Sequence, residues 1–235
     1  MGWEVVKRQD SFQGSNRPFI RISKAHIAFN AVFSRIAELD LSKRVTIYAD
    51  TENRKLAFEF HTDEKPDSLA LSPSSSSKKG DKRCGYFCAA LGVVNQYSWV
   101  EAVTRLPAND KRFYDPKKES GKWVLQLCPA FEIKRARESA KIPSDAKGVY
   151  RYLREDGEIV YIGRGEIKKR LSSPGRDEWD FDTIEYSLLE DPDQQIYWED
   201  YWLEKFKNIN QKLPVYNKVS GARISIEPED EDYGR

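Results

Sequence analysis

The chain of 235 residues carries 39 Lys+Arg against 38 Asp+Glu, has a third of its positions charged, and is 39% apolar. That length suits one large domain or two ordinary ones, and no run of ~18 apolar residues exists to form a membrane-spanning helix. Residues 1–145 hold 25 basic and 18 acidic side chains, a net of +7, while 146–235 hold 14 and 20, a net of −6. A basic front half points to a polyanionic partner.

Met1 to Asp10 is charged early and lacks the apolar stretch of a secretory signal, and Val6 breaks the myristoylation pattern after Gly2. Cys84, Cys88 and Cys128 cannot all pair within one chain, so the expectation is a reduced, cytoplasmic protein.

Phe19–Ile22 predicts a strand. Ser23 then reads as an N-cap, and Ala25, Phe29, Val32, Phe33 and Ile36 as one face of a helix. Val45, Ile47 and Ala49 alternate, as do Leu56, Phe58 and Phe60 after the polar turn 50–54, which predicts a hairpin. Residues 62–83 read as a flexible polar loop whose Lys78, Lys79, Lys82 and Arg83 form a basic arm suited to a phosphate backbone. Cys84–Val94 predicts a short helix and Trp123–Leu127 a strand. Lys134, Arg135, Arg137 and Lys141 make a second basic cluster, and Ile142-Pro143-Ser144 predicts a domain boundary. Cys84 and Cys88, with three residues between them, and Cys128, with His26 and His61 elsewhere, do not make a zinc set and read as small buried thiols.

Two β-rich runs, Gly148–Leu153 and Glu158–Gly163, flank Asp156-Gly157, a two-residue hairpin signal. That loop pairs Tyr152 with Tyr161 and Leu153 with Val160. It places Tyr150, Tyr152 and Tyr161 on one face, and Val149, Arg151, Leu153, Val160 and Ile162 on the other. A short helix follows from Glu166, with Ile167 and Leu171 packing inward and Arg170 over the hairpin's edge, where its guanidinium suits two-point contact with a phosphate. Thr183–Glu190 predicts a third strand. In the helix after Asp191-Pro192, Glu199 shares a stripe with Ile196, Leu203 and Phe206. A carboxylate there needs an ion-pair partner, for which Arg170 is a candidate, or a metal; one carboxylate with phosphate and water suits Mg²⁺. Glu204 reads as a solvated surface residue.

Gly148-Val149-Tyr150, then Tyr161-Ile162-Gly163, Lys169-Arg170-Leu171, Glu199 and Pro214-Val215-Tyr216-Asn217 together resemble the GIY-YIG nuclease superfamily over about 75 residues. The resemblance implies a compact domain with a small antiparallel sheet flanked by helices, cutting phosphodiester bonds with one Mg²⁺ (or Mn²⁺). It implies paired tyrosines at Tyr150 and Tyr161, with Tyr150 helping to take the proton from the attacking water. Arg170 would stabilise the phosphate, Glu199 (alternatively Glu204) would hold the metal, and Asn217 would fix the final loop. With no histidine in this region, Lys168 or Lys169 is the alternative base. The chain is thus expected to be α+β: a basic domain over 1–145 that holds the nucleic acid, a nuclease-like domain over 146–225 and an acidic tail over 226–235. Arg164, Lys168 and Lys169 would add to the cations that contact DNA, or alternatively RNA. A homodimer would serve double-strand cutting. The alternative reading is a non-catalytic nucleic-acid-binding protein that retains the fold.

Overall fold

The computed structural model describes residues 17–74, 84–139 and 141–218. The basic arm Lys78, Lys79, Lys82 and Arg83 and the acidic tail lie outside them. The strands are β1 (Phe19–Ile22), β2 (His26–Phe29), β3 (Arg44–Asp50), β4 (Lys55–His61), β5 (Leu69–Ala70), β6 (Ser72–Pro73), β7 (Tyr86–Ala89), β8 (Arg112–Tyr114), β9 (Lys117–Glu119), β10 (Lys122–Gln126), β11 (Ile133–Ala136), β12 (Lys147–Leu153), β13 (Ile159–Glu166) and β14 (Thr183–Leu188). The helices are α1 (Ala31–Ile36), α2 (Leu91–Gln96), α3 (Ser98–Thr104), α4 (Ile167–Leu171) and α5 (Pro192–Asn210). Every strand pairing is antiparallel, in three sheets ordered β6-β7-β2-β1-β8, β5-β3-β4-β10-β9 and β11-β14-β12-β13. The chain is therefore α+β. No helix among the described residues is long and apolar enough to cross a membrane.

The front half departs from the sequence-based expectation in three places, one being that β5 and β6 form inside the loop expected over 62–83. Ser23 does not cap a helix; its hydroxyl donates to the His26 carbonyl at 2.7 Å and closes a β1–β2 turn. Ile27 and Phe29 then point into the core at a period of two, and the helix starts later, capped by Asn30, whose side chain accepts from Phe33 N at 2.9 Å. Likewise Tyr86 and Cys88 alternate into the core as strand β7, so the helix expected over 84–94 begins only at Leu91. The β3–β4 hairpin has the expected alternation, with Val45, Leu56 and Phe58 buried. Cys88 and Cys128 are buried free thiols, each pushed up to about 12 by burial.

Elements on the two sides of the boundary expected at Ile142-Pro143-Ser144 pair and pack with one another. β11, counted with the basic front half, pairs with β14 from Ile133–Tyr186 to Ala136–Thr183, and Ile142 and Ala146 are buried against the tyrosine side of the third sheet. Val149, Ile162, Trp198, Trp202 and Leu203 share a core with Phe29, Phe33 and Phe58. A buried ion pair links the two parts: Arg54 Nη1 reaches Glu132 Oε1 at 2.7 Å, and Glu132 Oε2 accepts the Ser187 hydroxyl of β14 at 2.6 Å. Arg54 is 2% exposed, so Glu132→Gln leaves a buried guanidinium without its charge partner. We expect a loss of about 3 kcal/mol, read as a lower denaturant midpoint with one transition retained for both parts.

Candidate functional site

The hairpin β12–β13 keeps the expected register from Lys147–Glu166 through Tyr152–Tyr161, then slips by one, so that Leu153 faces Ile159. The turn is longer than two residues: Arg154 N donates to the Glu158 carbonyl, and Gly157, at φ +88°, sits where a left-handed residue is required. The slip turns Val160 to the tyrosine side, a correction to the expected face.

The two tripeptide glycines have separate steric causes. A Cβ on Gly148 would lie 1.9 Å from the Ser187 carbonyl oxygen of the neighbouring strand. On Gly163 it would lie 2.6 Å from the Tyr161 ring and 2.9 Å from the Tyr150 hydroxyl, so the paired tyrosines pack over the space that glycine leaves.

Tyr150, Tyr152 and Tyr161 do share one face, with ring centroids 5.4 to 6.0 Å apart. Tyr150 and Tyr152 are fully buried, and Tyr161 is half-buried. Burial pushes Tyr150 well above the ordinary tyrosine range and Tyr152 up to about 12. Both phenols are therefore neutral at physiological pH, which suits Tyr150 to donate its O–H rather than to serve as a base. Because their folded-state values are raised, the stability these phenols give is complete below pH ~10 and is lost as pH rises through 10 towards 12. Ultraviolet titration should show these two tyrosinates appearing together with unfolding.

The group that gathers the hydroxyls is one that the sequence reading missed. Arg176, 9% exposed, donates from Nη1 to the hydroxyl oxygens of Tyr150 (3.3 Å) and Tyr152 (3.0 Å) and from Nη2 to Tyr161 (3.2 Å). Its guanidinium also lies 4.8 Å from the Tyr161 and Trp179 ring centroids. The available signal was Ser173-Pro174-Gly175-Arg176: Arg176 N donates to the Ser173 carbonyl at 3.2 Å, and Gly175 has φ +80°, as in a type II turn with proline second and glycine third. Arg137, expected to contact nucleic acid, instead holds this loop. Its guanidinium donates to the carbonyls of Arg176, Asp177, Trp179 and Phe181 and lies 4.1 Å from the Phe181 ring centroid.

Glu199 pairs with Arg164 rather than with the expected Arg170: Arg164 Nε lies 2.8 Å from Glu199 Oε2, without the alignment of a hydrogen bond. Burial on α5 raises the Glu199 carboxyl above its ordinary range, and Arg164 and Arg170 oppose that shift. Arg170 is exposed on α4, its Nε 3.9 Å from the point a Cβ on Gly165 would occupy. Asn217 clamps β13: its Oδ1 accepts from Ile162 N at 2.9 Å and its Nδ2 donates to the Ile162 carbonyl at 2.8 Å. Tyr216 continues the clamp, with its N bonded to the Val160 carbonyl and its ring stacked on Trp179 at 4.5 Å.

All five residues singled out by the motif thus meet β13 between Tyr161 and Gly165, but as two groups. The tyrosine hydroxyls converge on Arg176, Glu199 pairs with Arg164, and no hydrogen bond or ion pair among the described residues joins the two. Of the remaining expected nucleic-acid contacts, Lys134 pairs with Glu185 at 3.4 Å and Lys169 with Glu166 at 3.3 Å, while Arg135 and Lys168 are exposed. Glu204 pairs with Lys207 at 3.7 Å. No three His, Cys, Asp or Glu side chains gather among the described residues. A metal here would take Glu199 as its protein ligand and fill its other positions from water and phosphate, a donor set that suits Mg²⁺. A cleft of about 630 Å³ lies elsewhere, between β8–β10 and α5, and includes Asp110, Trp198 and Tyr201. Compared with known proteins, the chain matches no family model, no curated protein and no solved structure.

Proposed function

We propose that this protein is a divalent-metal-dependent endonuclease of GIY-YIG type that hydrolyses DNA phosphodiester bonds, in restriction, in repair or within a mobile element. The observation that carries this reading is the meeting on one strand: Tyr161 lies within β13, Tyr150 packs over its Gly163, Arg170 over its Gly165, Glu199 against its Arg164 and Asn217 against its Ile162. A magnesium or manganese ion held by Glu199 would supply Lewis acidity and a water of lowered pKa. Exposed Arg170 meets the phosphate and offsets its growing charge. Asn217 and Tyr216 keep the outer edge of β13 in register. Free thiols suit a reducing, cytoplasmic setting.

One observation favours the second reading, a nucleic-acid-binding protein without catalysis: Arg164 occupies the carboxylate that a metal would need. Supercoiled plasmid separates the two. Nicking in Mg²⁺ or Mn²⁺ that EDTA stops is the expected outcome, and linear product would point to a homodimer or to sequential cuts. An intact plasmid, with salt-sensitive retention in a gel, would support the binding protein instead. An RNA substrate run in parallel tests the choice of nucleic acid.

A further inference from the structure

Arg176 is a buried cation without a carboxylate. Among the described residues no Asp or Glu lies within ion-pair distance of it, whereas the other buried arginine, Arg54, has Glu132. Burying a guanidinium is costly unless something offsets its charge, and the two aromatic rings beside Arg176 offset only part of that cost. Its three hydrogen-bond partners are phenol oxygens, each of which accepts from the guanidinium, and a phenol so placed can still donate its O–H. A positive charge ringed by hydroxyl donors is a site for an oxyanion. The loop is held for it as well: Arg137 ties down four carbonyls from 176 to 181, so Arg176 is positioned by the fold rather than by a ligand. Tyr161 and Trp179, both half-buried, are the members of the cluster that meet solvent.

We propose that Arg176, with the hydroxyls of Tyr152 and Tyr161, forms a phosphate-binding pocket distinct from the Glu199–Arg164 pair. The pocket stands on this geometry alone; that its natural occupant is a phosphodiester of a nucleic-acid backbone rests on the nuclease reading. The backbone would then be gripped at two points on the same strand, Arg170 at Gly165 and Arg176 beside Gly163.

The test is a metal-free titration of the full chain with inorganic phosphate at constant ionic strength, following the arginine Nε–H signals by NMR, with the Arg176 signal assigned by its loss in Arg176→Lys. A saturable shift of Arg176, with exposed Arg21 and Arg35 moving only slightly, is expected. No shift, or equal movement of all three signals, overturns the pocket. Arg176→Lys keeps the charge and loses the fork, so its phosphate affinity, followed through the half-buried Trp179, should fall about tenfold. Should that variant fail to fold, Tyr152→Phe removes one donor and should weaken phosphate several-fold; unchanged affinity in a folded variant also overturns the pocket. Glu199→Ala leaves phosphate binding in place. A plasmid that is never cut therefore refutes the nuclease reading without touching the pocket, and phosphate that is not bound refutes the pocket while cutting stands.

Discussion

Glu199→Ala should lower plasmid cleavage on the order of a thousandfold while DNA retention and melting temperature stay close to those of the unaltered protein. The size follows from the role: a metal that activates water and offsets phosphate charge contributes several kcal/mol to the transition state, and each 1.36 kcal/mol is about a factor of ten. The small effect on stability follows from geometry. Burial already disfavours the ionised carboxylate, and its partner Arg164, whose side chain is 37% exposed, finds water once Glu199 is gone. The raised carboxyl has a further consequence: ionised Glu199 is reached at higher pH than an ordinary glutamate, so cleavage should switch on later as pH rises from the acid side. Equal loss of cleavage and of fold would assign Glu199 to structure alone. Arg164→Ala is the informative companion. Freed from the guanidinium, Glu199 should need less Mg²⁺ for half-maximal cleavage if the ion and the arginine compete for one carboxylate.

Gly148→Ala should cost more than about 4 kcal/mol and leave little folded protein at room temperature, read by near-ultraviolet circular dichroism and by recovery in the soluble fraction. The added methyl would sit 1.9 Å from the Ser187 carbonyl oxygen and 3.1 Å from Leu189 N, both backbone atoms. β12 is a central strand, with β13 on one side and β14 on the other, and cannot back away without breaking a ladder. Pushing β14 away at Ser187 also pulls on Glu132 and Phe131 N, which the Ser187 hydroxyl contacts at 2.6 and 2.8 Å, and so loosens the link to Arg54. Gly92→Ala is the control: nothing lies within 4 Å of its Cβ position in helix α2, so the change should be neutral or stabilising by about 0.5–1 kcal/mol.

What the sequence by itself determined is short-range. Alternation placed the three tyrosines of the 148–163 hairpin on one face, and Asp191-Pro192 marked the start of α5, where Asp191 caps the helix by accepting from Asp193 N at 2.9 Å. The Asp156-Gly157 turn signal paired Tyr152 with Tyr161, because an antiparallel hairpin fixes its own register through its turn. Even there the turn slipped by one residue near its tip, since Glu158 returns to Arg154 and lengthens the loop.

Only the tertiary structure decided what depends on partners far apart in the chain. Ser23 and Asn30 compete to start a helix by local rules, and the pairing of β2 with both β1 and β7 settles that choice for Asn30. β11 reads as a basic run, and it becomes an edge strand of the third sheet because its ladder partner lies near residue 185. Arg54 finds Glu132 78 positions away, and Arg137 finds carbonyls about 40 positions away. A cation carries no periodic mark of what it will meet. Arg137, Arg164 and Arg176 are therefore alike in the sequence, and the fold makes them a loop clamp, the partner of a carboxylate, and a buried charge ringed by hydroxyls.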